Sequence, residues 1–175
     1  MSFNCLITDG STLGCSTIGG VQKLWLGNWE DITGLFTQDS CGIITGITPT
    51  SAITVYEFQQ DIEIAGLTQT GSFDRTQGTV FYESILSLKL FGLDCETRNR
   101  MIELGRAPLT GIVLSNAGDY YYLGAETAGR SSSSEANLGT ALSDMNGLSQ
   151  SISWKSANGC YLIDGTLIGT TIILG

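Results

Sequence analysis

The stretch "TVFYESILSLKLFGLDCETRNRMIELGRA", Thr79 to Ala107, decides the fold. In its first half Val80, Tyr82, Leu86, Leu88 and Leu90 fall on one strand face, with Ser84 interrupting the stripe. Phe81, Glu83, Ile85, Ser87, Lys89 and Phe91 fall on the other. Successive strand side chains point to opposite faces, so the pattern predicts one dry face and one half-wet face. Phe91-Gly92 makes a corner, and a helical pattern follows. Asp94 stands as N-cap, and Glu96 lies in the first turn, where the helix dipole favours negative charge. Glu96 and Arg100 are four apart in the favourable order. Met101 and Leu104, with Ile102 and Cys95 nearby, form a narrow apolar stripe, and Gly105 and Pro108 are read as the stop. A helix over about residues 94–104 with one apolar face must lie against a sheet. The expectation is one mainly β domain: a β-sandwich or half-barrel of antiparallel strands with one flanking α-helix.

Outward from this anchor, Val21 to Trp29 reads as a strand with bulk on both faces, Trp25 and Trp29 being core or interface anchors. Cys41 to Thr48 is a short Gly-broken strand closed by Pro49, and Ile53 to Asp61 resumes, with Ile62 to Ala65 as its continuation. Gly66 to Gly78, polar and Gly-rich, reads as an extended hairpin or an ordinary exposed loop. "NAGD" at Asn116 to Asp119 is a hairpin turn between Thr110 to Ser115 and Tyr120 to Gly124. "RSSSSEA", Arg130 to Ala136, reads as a mobile loop by its low complexity. Leu148 to Ser156 alternates Leu148, Gln150, Ile152 and Trp154 against three serines and Lys155, the pattern of a one-sided sheet. The end is read as a hairpin around Asp164-Gly165, with an uncharged last strand that needs an edge cover. Residues 1–20 read as an N-terminal arm and residues 21–175 as a single β-rich domain.

Composition narrows the function. A chain of 175 residues can bury a real core. No run of about 18 apolar residues exists to anchor it in a membrane. The N-terminus has no basic start before an apolar run, as a secretory signal would, and "TLGC" at Thr12 to Cys15 lacks the same features of a lipoprotein signal. The five cysteines are scattered and odd in number, which suits reduced thiols. Charged residues are 14% of the chain against about 25% in an ordinary domain, so burial in an assembly is expected. The balance of 17 acids against 8 bases, net −9, repels phosphate; it suits a surface that DNA passes without sticking.

The usual chemistry is missing. Histidine is absent, which removes the commonest general base and metal ligand. Gly10 to Thr17 lacks the Gly-Lys-Ser/Thr ending of a phosphate loop. A Ser or Cys nucleophile has no histidine to activate it. Asp61 and Glu63 share a predicted strand face but have no supporting acids; Glu30-Asp31 and Asp94-Glu96 have equally ordinary readings. The chain is expected to be no enzyme and to carry no cofactor or metal.

"GTALSDMNGLSQSISWKS", Gly139 to Ser156, resembles the C-terminal part of tail tube proteins from tailed bacteriophages. "GGVQKLWLGNWEDITG" (Gly19 to Gly34), "GTVFYESILSLKL" (Gly78 to Leu90) and "YYYLGAETA" (Tyr120 to Ala128) are similar to stretches of related phage structural proteins, in the same order. The resemblance implies hexameric rings stacked into a hollow tube, with each subunit adding strands to a continuous inner barrel. It implies an acidic channel for non-specific DNA passage, other virion tail proteins at the tube ends, and assembly in the host cytoplasm into a virion tail. No catalytic residues carry over. Asp144, Met145, Asn146 and Gly147 match the family's turn, read as a fold determinant. Candidate inter-subunit contacts are Thr68, Ser72, Phe73, Asp74 and Arg75 in the hairpin and Leu167, Ile172 and Ile173 near the end. Three alternatives stand beside this reading. One is a head–tail joining or tail-completion ring of the same fold. Another is a monomeric ligand-binding β-barrel whose pocket is lined by Tyr120 to Tyr122, Trp25 and Trp154. The third is a carboxylate-based hydrolase.

Overall fold

The alternation over Thr79–Phe91 appears as the longest strand of a computed structural model, which describes residues 18–29, 35–48, 53–61, 63–141 and 144–175. In chain order the strands are β1 (Val21–Asn28), β2 (Leu35–Gln38), β3 (Ile44–Thr48), β4 (Ile53–Glu57), β5 (Gly66–Asp74) and β6 (Thr79–Phe91). Helix α1 (Cys95–Arg106) follows, then β7 (Leu109–Ser115), β8 (Tyr120–Leu123), β9 (Arg130–Asn137), β10 (Gly147–Ser156), β11 (Tyr161–Ile163) and β12 (Ile172–Leu174). The protein is mainly β, with one α-helix among the described residues.

Eight strands in the order β12-β4-β1-β7-β8-β11-β3-β2 form a curled half-barrel, and four in the order β5-β6-β10-β9 form a second sheet. Two cores follow from the strand period. Leu24, Leu26, Leu109, Val113 and Leu123 of the larger sheet meet Leu86, Leu88, Ile152 and Trp154 of the smaller sheet and Leu104 of α1. The alternate residues Trp25, Ile112 and Tyr122 point the other way and meet Ile44, Ile47, Val55, Ile163 and Ile172. Strands distant in the sheet order share that second core, which only a curled sheet allows. Each fully buried Leu or Ile contributes about 1.5–3 kcal/mol relative to exposure.

The helix is capped at Asp94, whose Oδ1 accepts the Thr97 N–H at 2.7 Å, and Arg100 pairs with Glu96 at 2.6 Å. It runs through Gly105 to Arg106 instead of stopping at Leu104. Ala107 then turns extended (ψ 143°), the conformation that the following Pro108 imposes on it. Gly92 takes φ +82° at the corner, where a side chain would be strained.

Several expectations are corrected. Arg130 to Ala136 is no loop: β9 pairs along β10, and Ser131 and Ser132 tie in through Gln150 Nε2 (2.7 Å) and Ser151 O (3.2 Å). Asp164-Gly165 is no hairpin turn. Asp164 caps a 3-10 turn over Gly165–Leu167, and the chain crosses to place β12 parallel to β4. β11 also pairs parallel with β3, so the larger sheet is mixed. The strand after Ile53 stops at Glu57, and Asp61 and Glu63 lie in a connecting turn, on no strand face. The expected arm before Ile18, Glu30-Asp31 and Pro49 fall outside the described residues.

Candidate assembly surface

The β6–β10 pair builds the centre of the smaller sheet, with Leu148 opposite Leu90, Ile152 opposite Leu86 and Trp154 opposite Ser84. That face is buried; its polar members, Ser84 and Gln150, are buried with it. The opposite face is open. By register it carries Ser149, Ser151 and Ser153 of β10, Ser87 of β6, Thr68, Thr70 and Ser72 of β5 and Ser133 of β9. Its charges are Asp74, Glu83 and Glu135 against Lys89, Arg130 and Lys155, three of each sign. Lys155 Nζ sits 5.8 Å from the Phe81 ring on this face.

Among the described residues no strand pairs with either edge of this sheet; β5 and β9 are nine and eight residues long, and α1 lies beside β9. Long, sparsely charged edges are templates for pairing with another chain; β9 carries one bulge, Ser132 being the extra residue opposite Ser151-Ile152. The edge groups can be assigned. Lys89 donates its backbone N–H to Gln60 Oε1 at 2.9 Å, on the β5 flank of β6, so odd-numbered β6 residues turn their backbone groups toward β5. Alternation then directs the N–H and C=O of Leu67, Gln69, Gly71 and Phe73 outward from β5, and those of Ser131, Ser134 and Ala136 outward from β9.

The hairpin candidates Thr68, Ser72, Phe73, Asp74 and Arg75 are all exposed on β5 and its turn, Phe73 by 64% with its ring edge-on to Tyr82. At the other end Ile173 is exposed, and Leu167 is half-buried against the second core. Ile172 is corrected as a contact. It is fully buried in that core because β12 lies against β4, so it has no surface to offer a neighbour.

The turn at Asp144 is built by its carboxylate. Oδ2 accepts the Thr140 N–H at 2.8 Å, the Thr140 hydroxyl at 3.0 Å and the Ala141 N–H at 2.8 Å, and these bonds hold the carboxyl below its ordinary pKa. Asn146 O accepts the Gly92 N–H at 2.9 Å, which ties the turn to the corner before α1. A Cβ at Gly147 would lie 2.2 Å from Leu90 O. Met145 is half-buried.

Little else converges. A groove of about 790 Å³ lies between α1 and the β1–β4 strands, floored by Phe58, Leu104, Ala107 and Leu109 and rimmed by Tyr56 and Ile102. The nearby Arg100 and Glu57 are engaged by Glu96 and by Lys23 at 3.9 Å. The aromatic residues do not line one pocket: Trp154 sits in the first core, Nε1 bonded to Leu109 O at 2.9 Å, and Trp25 and Tyr122 sit in the second. Cys41, Cys95 and Cys160 are free thiols, and burial pushes the Cys160 thiol up. Among the described residues no group of three metal-ligating side chains occurs, and no helix is long and apolar enough to cross a membrane. The open edges were missed in the sequence on the β9 side, where the serine run hid a strand. Comparison with protein-family models, curated proteins and solved structures finds no match for this chain.

Proposed function

We propose that this chain is a self-assembling structural protein of the phage tail-tube kind, forming rings that stack into a hollow tube for DNA passage. The observation that carries the reading is the smaller sheet, with one face on the core, one open face and two long edges that no strand pairs with among the described residues. Its four strands alternate in direction, so β5 and β9 run opposite ways. A rotation axis preserves direction. Copies placed around such an axis therefore bring β9 of one antiparallel to β5 of the next, at every joint, and the ring closes with no edge left. The low charge content of the chain and the match of Asp144 to Gly147 to the family's turn support the same reading. The number of copies, six, is carried by the resemblance alone.

In this arrangement the open face lines the channel. Its three acids and three bases make the wall neutral and rich in hydroxyls, where the resemblance implies an acidic one. Such a wall offers a duplex no cluster of cations to hold it. The excess acid belongs to the segments between the elements, since α1 itself carries three arginines against two glutamates.

Sedimentation of the purified chain over a concentration series tests the proposal. One closed oligomer that stacks as concentration rises is the expected result. A ring that never stacks moves the reading to a joining or completion ring, and a monomer throughout overturns it.

A further inference from the structure

We infer that the joint between copies has one register: β9 pairs with the neighbouring β5 so that Arg130 faces Asp74 of the next copy and Ser133 faces its Ser72. This rests on the ring proposed above and specifies its contact. Within one copy Arg130 is level with Ser153, Ile85 and Thr68. An untilted ring would set Arg130 beside Thr68 of the next copy. Barrel strands tilt by about 35–45°, and four strands at about 4.8 Å span about 19 Å. Crossing that width at that tilt slides the next copy along the strands by about 13–19 Å, roughly four to six residues at about 3.3 Å each.

The direction of the slide follows from chirality. Odd-numbered β6 residues turn their backbone groups toward β5 and their side chains to the open face. For an L-chain this puts β5 to the left of β6, viewed from the core side with β6 running upward. With the open face inward and the right-handed tilt that strand twist imposes, the next β5 is met nearer its C-terminal end. Arg130 therefore passes Thr68 and meets Ser72 or Asp74. Odd slides are excluded, because they turn side chains to the wrong face and oppose the wrong backbone groups.

Between the two even slides, chemistry chooses the larger. Arg130 then meets the carboxylate of Asp74, a favourable cross-strand pair. Its Nη1 is already anchored on Arg106 O at 3.1 Å at the end of α1, which holds the guanidinium at the open edge with donors to spare. Asp74 holds its own turn through Oδ1, accepting from Thr76 and Gln77 N–H, and presents Oδ2 to the guanidinium. On the core side the same register lays the exposed Phe73 ring over Ser131, a residue small enough to admit it. With the smaller slide Arg130 faces a serine and Phe73 reaches past the start of β9.

The test is cysteine cross-linking of assembled protein in a background with the five native cysteines changed to serine. Ser133→Cys with Ser72→Cys is expected to form inter-copy disulfides on mild oxidation, and Ser133→Cys with Thr70→Cys far fewer. The reverse preference, or equal yields, in particles that still form rings overturns the register and leaves the ring proposal standing. Absence of rings in the unsubstituted chain overturns both. A second measurement needs no cysteines. Asp74→Asn and Arg130→Gln each raise the concentration needed for assembly several-fold, and the double variant raises it no further than either alone. Independent, additive effects of the two changes contradict the pairing.

Discussion

Five of the seventeen acids in this chain hold turns. Asp39 accepts the Cys41 and Ile43 N–H groups, Asp94 the Thr97 N–H and Asp164 the Thr166 N–H, while Asp74 and Asp144 hold their turns as described above. Short carboxylates at turns offer the backbone acceptors that the connecting segments lack, so these charges are local folding devices. Asp94 and Asp144 both sit below their ordinary pKa, first through backbone N–H bonds, from Thr97 and from Ala141 respectively. A folded-state pKa below the unfolded value of about 3.9 means stability present above that pH and lost as pH falls through the folded value. Asp144→Asn should therefore melt lower than the parent at pH 7, with the gap narrowing on acidification below about pH 4. Melting curves from pH 7 down to about pH 2.5 check this; a gap independent of pH contradicts it.

Gly129 is a second residue with a sharp expectation. A Cβ there would stand 2.2 Å from the Trp154 ring, in the first core. Gly129→Ala should cost about 1–3 kcal/mol by overpacking, and Trp154→Ala about 3–5 kcal/mol by cavity formation and loss of the bond to Leu109. Urea unfolding monitored by far-UV circular dichroism measures both.

At the scale of elements, β6, the corner at Gly92, α1, the β7–β8 hairpin and β10 were legible because their signals are local. Each shows a two-residue period, a cap or a turn residue in the right place. β9 was not. Four consecutive serines show no period, and the strand exists because β10 offers it a complete ladder and Gln150 reaches Ser131. β12 misled for the opposite reason. Asp164-Gly165 has hairpin chemistry, but the following apolar residues gain more by filling the second core beside β4 than by folding back on β11. The candidate contacts on β5 were legible as an exposed hairpin, whereas their counterpart edge could not be read without β9. The edge assignment makes a prediction of its own. Ser134→Pro removes only an outward N–H, so the chain should fold and melt within a few degrees of the parent yet fail to assemble. Ser133→Pro removes an N–H directed at β10 and should destabilise the monomer itself. Melting and sedimentation of both variants separate the two effects.

At the scale of the whole molecule, the two sheets divide the labour. The curled sheet closes one core on itself and backs the smaller sheet, which among the described residues leaves a face and two edges without a strand partner. Six copies would contribute twenty-four strands. At about 4.8 Å spacing and about 45° tilt these close a barrel about 50 Å across the backbone, leaving a channel of about 40 Å inside the side chains. A duplex passes such a channel.

The measurement that meets this account most directly is negative-stain electron microscopy of the purified protein. Ring-shaped particles with a stain-filled centre about 40 Å wide are expected, stacking into tubes of regular axial repeat as concentration rises. A field of single small particles at every concentration, with no ring among them, would contradict it.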